Sequence, residues 1–206
     1  MGDTGIISVI NDLLIDNIEL TIKGKAKKKK SNYIYEREFG SLEEFNNRNK
    51  SLKEYKYYIA YGSNLSLAQM DYRCPNSKYE GITYLDNYRL EFRDKFANVV
   101  KDNNYRVPVV IYRITSRDEK SLDSYEKDYY KRYIEVPVLG EEKIIKGLIY
   151  IMKENKIRDK REIKRIESLP NKNYFNLLRK SYKFFGFNEE ILLNSLDKAY
   201  RKYYKI

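Results

Sequence analysis

The sequence contains no histidine and only one cysteine, Cys74, among its 206 residues. A single cysteine excludes an intrachain disulfide. Ordinary zinc sites need a set of Cys and His ligands, and a His-based catalytic triad needs an imidazole, so both kinds of site are excluded as well. Any acid–base chemistry must therefore use Asp, Glu, Tyr or Lys.

Long apolar runs are also missing, because none approaches the ~20 residues of a membrane-spanning helix. The first ten residues, MGDTGIISVI, lack the basic-then-apolar order of a signal peptide. Ile6 stands where a myristoylation motif needs Ser or Thr. We therefore expect a cytoplasmic protein that does not associate with membranes.

Positive charge is abundant, since 41 Lys and Arg residues exceed 30 Asp and Glu residues and give a net charge of +11. Such an excess is typical of nucleic-acid-binding proteins. Here, however, the basic residues are spread along the chain among acidic ones, so a nucleic-acid partner is not favoured. Hydrophobic residues make up 42% of the chain, which is enough for a core.

Residues 1–54 form an extension whose pattern differs from the rest. The alternation in NIELTIK predicts a short strand over 18–22, and KAKKKK at 25–30 indicates a solvated loop or a weak contact to an acidic partner. Ser41 and Glu44 have capping-box spacing, which predicts a short helix. Because the extension is too small to bury a core of its own, we expect it to pack on the main domain or on a protein partner.

The main domain, residues 55–206, has strand-like runs interrupted by helical patterns. The predicted strands cover 57–61, two short runs within 81–92 separated by a turn at Asp86–Asn87, then 107–114, 133–138 and 143–152. The predicted helices begin after Asn64 and at a Ser116–Glu119 capping box, and cover 158–169, 173–186 with a stop at Gly186, and 188–204. This order predicts an α+β domain.

In the stretch YIAYGSNLS, small polar residues follow a predicted strand directly, which raises the question of why Gly, Ser and Asn stand at its end. Glycine at position 62 lets the backbone approach a ligand or adopt positive φ. The amides of residues 62–65 could then form a nest for a carboxylate or an oxyanion. The alternative is an ordinary strand-to-helix turn with Asn64 as the helix cap.

Several motifs together resemble those of the γ-glutamylcyclotransferase (AIG2-like) family, particularly its bacterial members. They are YIAYGSNLSLAQMDYRCP, LDNYRLEFR, VPVVIYRIT, LDSYEKDYYKRYIEV, GLIYIM and NYFNLLRKSYKFFGF, within residues 55–200. The resemblance implies a small mixed β-barrel flanked by helices, followed by a C-terminal helical segment. It implies release of 5-oxoproline from γ-glutamyl amino acids or amines, with neither metal nor cofactor.

The resemblance also implies the site residues. Glu126 matches the family's catalytic glutamate and would be both base and acid, and its position at a helix end with partial burial would raise its pKa. The expected substrate-binding residues are Tyr61, Gly62, Ser63, Asn64, Leu65, Tyr133 and Tyr150, with Tyr130 as a rival to Tyr133.

Two departures from the family pattern keep a second interpretation open. Lys127 follows Glu126 where the family usually has glycine, and the loop KDYYKR looks shorter than in bacterial relatives. A lysine pointing inward would lower the pKa of Glu126. The alternative is therefore a catalytically altered member that binds a small metabolite or a partner macromolecule without turnover.

Overall fold

A computed structural model describes residues 38–48, 53–153 and 169–204. The predicted strand at 18–22, the basic run at 25–30 and nearly all of the predicted helix at 158–169 lie outside these residues. The elements are α1 (Leu42–Asn47), β1 (Lys56–Ala60), a 3-10 turn (Ser63–Leu65), α2 (Leu67–Arg73), β2 (Lys78–Arg93), β3 (Phe96–Ile114), α3 (Ser116–Tyr125), β4 (Tyr129–Pro137), β5 (Ile144–Met152), α4 (Lys172–Phe185) and α5 (Glu189–Tyr204). None of the helices in these ranges is long and apolar enough to cross a bilayer.

The five strands form one mixed sheet in the order β2-β3-β1-β5-β4. β1 and β5 are parallel, and the other neighbouring pairs are antiparallel. The predicted α+β class, with a mixed sheet and flanking helices, is confirmed. The sheet is not closed into a barrel, because β2 and β4 form its two edges. The loop after β4 only approaches β2, through a 3.0 Å hydrogen bond from the Leu139 amide to the Ile82 carbonyl.

The hairpin formed by β2 and β3, at one edge of the sheet, is longer than the sequence predicts. The predicted turn at Asp86–Asn87 is wrong, because β2 continues through a bulge in which Asn87 has a φ of 62°. The chain reverses instead at Asp94–Lys95, where both residues have positive φ, as in the two-residue turns that suit hairpins. β3 pairs with β2 on both sides of Asn87, although residues 102–105 of β3 have no partner in β2. This pairing outweighs the local turn signal, because each added pair satisfies backbone groups on both strands.

Two helix ends test the capping predictions. The capping box of α3 is formed by Thr115 and Asp118, one residue before the predicted Ser116–Glu119 box. Both pairs have the same spacing, so spacing alone did not distinguish them. The predicted stop of α4 at Gly186 is confirmed, since this glycine has a φ of 69° and donates to the Lys183 carbonyl.

The N-terminal helix α1 packs against the main domain, as expected for a segment too small to have its own core. Ser41 caps it by accepting from the Glu44 amide at 3.1 Å. Phe45 is fully buried, with its ring centroid 6.0 Å from that of Tyr112 on β3. Arg48 forms a 2.6 Å ion pair with Asp71 of α2. Residues 38–48 thus belong to the same hydrophobic core as the sheet.

Candidate active site

The end of β1 leads into the turn at residues 62–65. Tyr61 is buried, and its hydroxyl donates to the Tyr150 carbonyl on β5 at 2.7 Å. Gly62 has a φ of −108°, so the turn does not use the left-handed region that glycine allows. The Leu65 amide donates to the Gly62 carbonyl at 2.9 Å. One of the four amides expected to form an anion nest is therefore already occupied within the turn.

Asn64 is the centre of a buried polar cluster. It is only 3% exposed, and its side-chain amide donates to the Tyr58 hydroxyl at 2.7 Å and to Glu126 Oε1 at 3.5 Å. Its side-chain carbonyl accepts from Arg73 at 2.9 Å and from Gln69 at 3.4 Å. A buried amide is costly unless it is hydrogen-bonded, and these four contacts satisfy both of its ends.

The alternative in which Asn64 caps the following helix is wrong. Ser66 is the N-cap residue of α2, and its hydroxyl accepts from the Gln69 amide at 3.3 Å. The Gln69 side chain in turn donates to the Ser63 hydroxyl at 2.6 Å. The polar residues of the turn are thus held by α2, and Asn64 is left to face Glu126.

Glu126 lies directly after α3, where the sequence predicts it, and its amide donates to the Leu122 carbonyl. Its side chain is 14% exposed, and Nη1 of Arg73 lies 4.0 Å from its Oε1 atom. Burial raises the pKa of Glu126 to about 7, although the Arg73 guanidinium and the Asn64 amide act in the opposite direction. A carboxyl with this pKa can both accept and donate a proton near neutral pH.

The two predicted tyrosines occupy different environments. Tyr150 is buried on β5, and its hydroxyl donates to Asp123 of α3 at 2.6 Å. Its ring contacts the ring of Tyr58 edge-on, with centroids 6.1 Å apart. Tyr133 is 49% exposed on β4, and Tyr130 is also exposed. Within the part of the chain that the structure describes, neither Tyr133 nor Tyr130 hydrogen-bonds to the Asn64–Glu126 cluster.

Three further tyrosines and one arginine lie in or beside the site but were not predicted from sequence. They are Tyr58, Tyr129, Tyr174 and Arg73. Ala97 of β3 links two of them, because its carbonyl accepts from the Tyr129 hydroxyl at 3.4 Å and its amide donates to the Tyr174 hydroxyl at 3.0 Å. Burial raises the pKa of Tyr129, with the charge of Glu126 among the smaller causes. Arg73 lies within the motif YIAYGSNLSLAQMDYRCP, and this position was the signal in the sequence that could have pointed to it.

Lys127 does not point inward, as a lysine that lowers the pKa of Glu126 would have to do. Its side chain is exposed, and its backbone carbonyl accepts from Lys153 Nζ at 2.9 Å. The cation that lowers the pKa of Glu126 is Arg73 instead. Among the described residues, no three acidic or cysteine side chains lie close enough together to hold a metal ion.

Comparison with protein families gives a match over residues 58–172, more than half of the chain. The matching family is described as "Gamma-glutamyl cyclotransferase, AIG2-like". The matched range includes both the 62–65 turn and Glu126. Among curated proteins, no match was found.

Solved structures share the fold at low sequence identity. A protein described as "Gamma-glutamyl cyclotransferase" has a TM-score of 0.57 and 19% identity over 69% of this chain and 86% of its own. An uncharacterized protein from Homo sapiens has a TM-score of 0.56 and 20% identity over 69% of this chain and 87% of its own. YkqA from Bacillus subtilis has a TM-score of 0.53 and 19% identity over 75% of this chain and 56% of its own.

Proposed function

The chain belongs to the gamma-glutamyl cyclotransferase, AIG2-like family, and we propose that it releases 5-oxoproline from a γ-glutamyl amino acid or amine. One observation carries the proposal. Glu126 is a largely buried carboxyl with a pKa of about 7, and its Oε1 atom accepts from the Asn64 side chain in the 62–65 turn. The reaction needs one group that first accepts and then donates a proton, and Glu126 has the pKa for both steps.

The reaction begins with the α-ammonium group of the substrate. Glu126 takes one proton from it, and the freed amine attacks the γ-carbonyl carbon, forming the new C–N bond of the ring. The tetrahedral intermediate then breaks its original C–N bond, and Glu126 returns the proton to the leaving amine. The ring nitrogen also gives up its second proton, which ends on the released amine, so the products are a neutral lactam and an ammonium ion. Atoms and charge balance without a metal or cofactor. Because the attack is intramolecular, holding the substrate in a bent conformation supplies much of the acceleration.

We propose that the 62–65 turn binds the γ-glutamyl group and the oxyanion that forms on it. The backbone amides of Gly62 and Asn64 are the proposed donors, since the amide of Leu65 is bonded to the Gly62 carbonyl. Tyr61 and Tyr150 would form a buried wall of the pocket. Tyr133, which is exposed, would contact the leaving group at the rim rather than the reacting atoms.

The proposed activity is tested by measuring 5-oxoproline release from a panel of γ-glutamyl dipeptides, γ-glutamyl amines and glutathione. We expect release from at least one member, and the preferred member identifies the leaving group. No release from any member by the folded protein, combined with calorimetric binding of a panel member, would instead support the alternative of binding without turnover.

The pH dependence of the reaction follows from the pKa of Glu126. Because the carboxyl must be ionised to accept the substrate proton, kcat/KM should decrease as the pH falls below about 7. Well below that value the decrease should approach tenfold per pH unit. The measurement is kcat/KM between pH 5 and 9 on the preferred substrate. A profile that stays flat between pH 5.5 and 7.5 would rule out Glu126 as the base.

A further inference from the structure

The orientation of the Asn64 side chain depends on Arg73. An Asn side chain has a donor end and an acceptor end, and its neighbours determine which way it points. Arg73 donates to the Asn64 carbonyl oxygen at 2.9 Å, and Gln69 donates to the same atom at 3.4 Å. The NH₂ end is therefore directed at the Tyr58 hydroxyl and at Glu126 Oε1. Reversing the amide would place its NH₂ group against the N–H donors of Arg73 and Gln69. It would also place its carbonyl oxygen against the Glu126 carboxylate, so that acceptor would face acceptor.

Arg73 itself is held between the 62–65 turn and the end of α3. It is the last residue of α2, and its side chain is 13% exposed. Its guanidinium carbon lies 4.4 Å from the ring centre of Tyr125, the last residue of α3 before Glu126. Arginine stacks on aromatic rings in this way while its N–H groups remain directed at hydrogen-bond acceptors. One side chain thus contacts both the turn and the helix end.

We propose that Arg73 is a positioning residue, which orients the Asn64 amide and thereby sets the direction from which Asn64 contacts the Glu126 carboxylate. Its Nη1 atom is 4.0 Å from Glu126 Oε1, too far for a good hydrogen bond but close enough for charge attraction. The effect of this role on turnover rests on the proposed function. The geometry itself does not, because it can be tested without substrate.

Both contributions of Arg73 act on Glu126 in the same direction. The positive charge and the oriented amide each favour the ionised carboxylate, and both lower the pKa of Glu126 against the effect of burial. Removing Arg73 takes away the charge and one of the two donors that hold the Asn64 carbonyl. The carboxyl should then bind its proton more tightly than in the unmodified protein.

The test is a titration of Glu126 by NMR, with its carboxyl ¹³C signal assigned by its loss in Glu126→Gln. In Arg73→Met we expect the titration midpoint to rise by about one pH unit. Arg73→Lys, which keeps the charge but not the planar group, should shift the midpoint less. Arg93→Met is the matched control, because Arg93 is another partly buried arginine paired with a glutamate on the same chain; it should leave the midpoint unchanged.

Arg73→Gln provides a second neutral variant if Arg73→Met does not fold. An unchanged Glu126 midpoint in either folded neutral variant would overturn the proposal. To test whether Arg73 acts through Asn64, both neutral variants are repeated with Asn64→Leu, a substitution of similar size. Non-additive shifts support the positioning role, and fully additive shifts contradict it.

Kinetics separates this proposal from the proposed function. If the protein releases 5-oxoproline, Arg73→Met should shift the acid side of its kcat/KM profile upward together with the NMR midpoint. If no panel substrate is turned over, the proposed function fails, but the NMR titration still decides the role of Arg73.

Discussion

Replacing Glu126 with Gln is expected to reduce 5-oxoproline release by about 10³-fold, which is typical for loss of a general acid–base group. Gln has nearly the same shape and can still accept from Asn64, but it can neither take the proton from the substrate amine nor return it to the leaving group. The measurement is kcat and kcat/KM on the preferred substrate of the panel. Turnover close to that of the unmodified protein would show that another group transfers the proton.

Stability provides the control, since this variant should gain stability at neutral and alkaline pH. The folded-state pKa of Glu126 is raised to about 7, so the folded state binds the proton more tightly than the unfolded state. Stability is therefore lost as the pH rises from about 4.5 to 7, by up to about 3 kcal/mol. Gln cannot ionise, so the variant does not lose this stability. Thermal unfolding should show a higher Tm for the variant at pH 8 and little difference at pH 4.5.

Glu119, on the helix that Glu126 directly follows, is the matched control. Burial acts against its ionisation, but hydrogen bonds from Lys131 and Lys56 outweigh that effect and lower its pKa. Glu119→Gln should therefore lose stability above the unfolded-state pKa of a glutamate, the opposite pH dependence from Glu126→Gln. It should keep the acid side of the pH–rate profile at the same position. Equal behaviour of the two variants would contradict the assignment of Glu126.

Replacing Phe45 with Ala is expected to lower the free energy of unfolding by about 3–5 kcal/mol, the range observed for large aromatic side chains in cores. Phe45 has no exposed surface, and its ring lies against Phe39 and Tyr112. The guanidinium carbon of Arg48 lies 3.5 Å from the ring centre. The measurement is denaturant unfolding, and the slope of the free energy of unfolding against denaturant concentration is compared between variants. Tyr72→Ala is the control, because Tyr72 is 68% exposed and should change stability by less than about 0.5 kcal/mol.

This prediction bears on the role of the N-terminal extension. A cost below about 1 kcal/mol would mean that α1 does not pack on the domain in solution. A cost in the expected range means that a deletion of residues 1–50 removes part of the core, so such a deletion cannot separate partner binding from folding. Partner binding by the extension is better tested with a deletion that ends before residue 38, which keeps the Phe45 contacts.

Local sequence signals were sufficient for several features. Ser41 caps α1, Gly186 ends α4 in the left-handed region, and Glu126 follows the last turn of α3, all as predicted. These features depend on residues a few positions apart, because capping and helix termination are determined within about one turn. The motifs of the chain also pointed to its family and to an α+β fold.

Other features depend on residues that are distant in sequence. The β2–β3 hairpin continues through Asn87 because β3 pairs with both halves of β2, and the open edges of the sheet depend on where the loop after β4 meets Ile82. A local turn signal is weak compared with a long ladder of backbone hydrogen bonds. Neither outcome can be derived from the periodicity of one segment.

The sequence by itself determined the family and the class of fold, and it pointed to Glu126 as the carboxylate that we propose transfers a proton. Only the tertiary structure decided how that carboxylate is tuned, because its pKa depends on burial and on Arg73 and Asn64, which lie 53 and 62 positions away along the chain. Burial and charge act through distance in space, and the fold sets those distances.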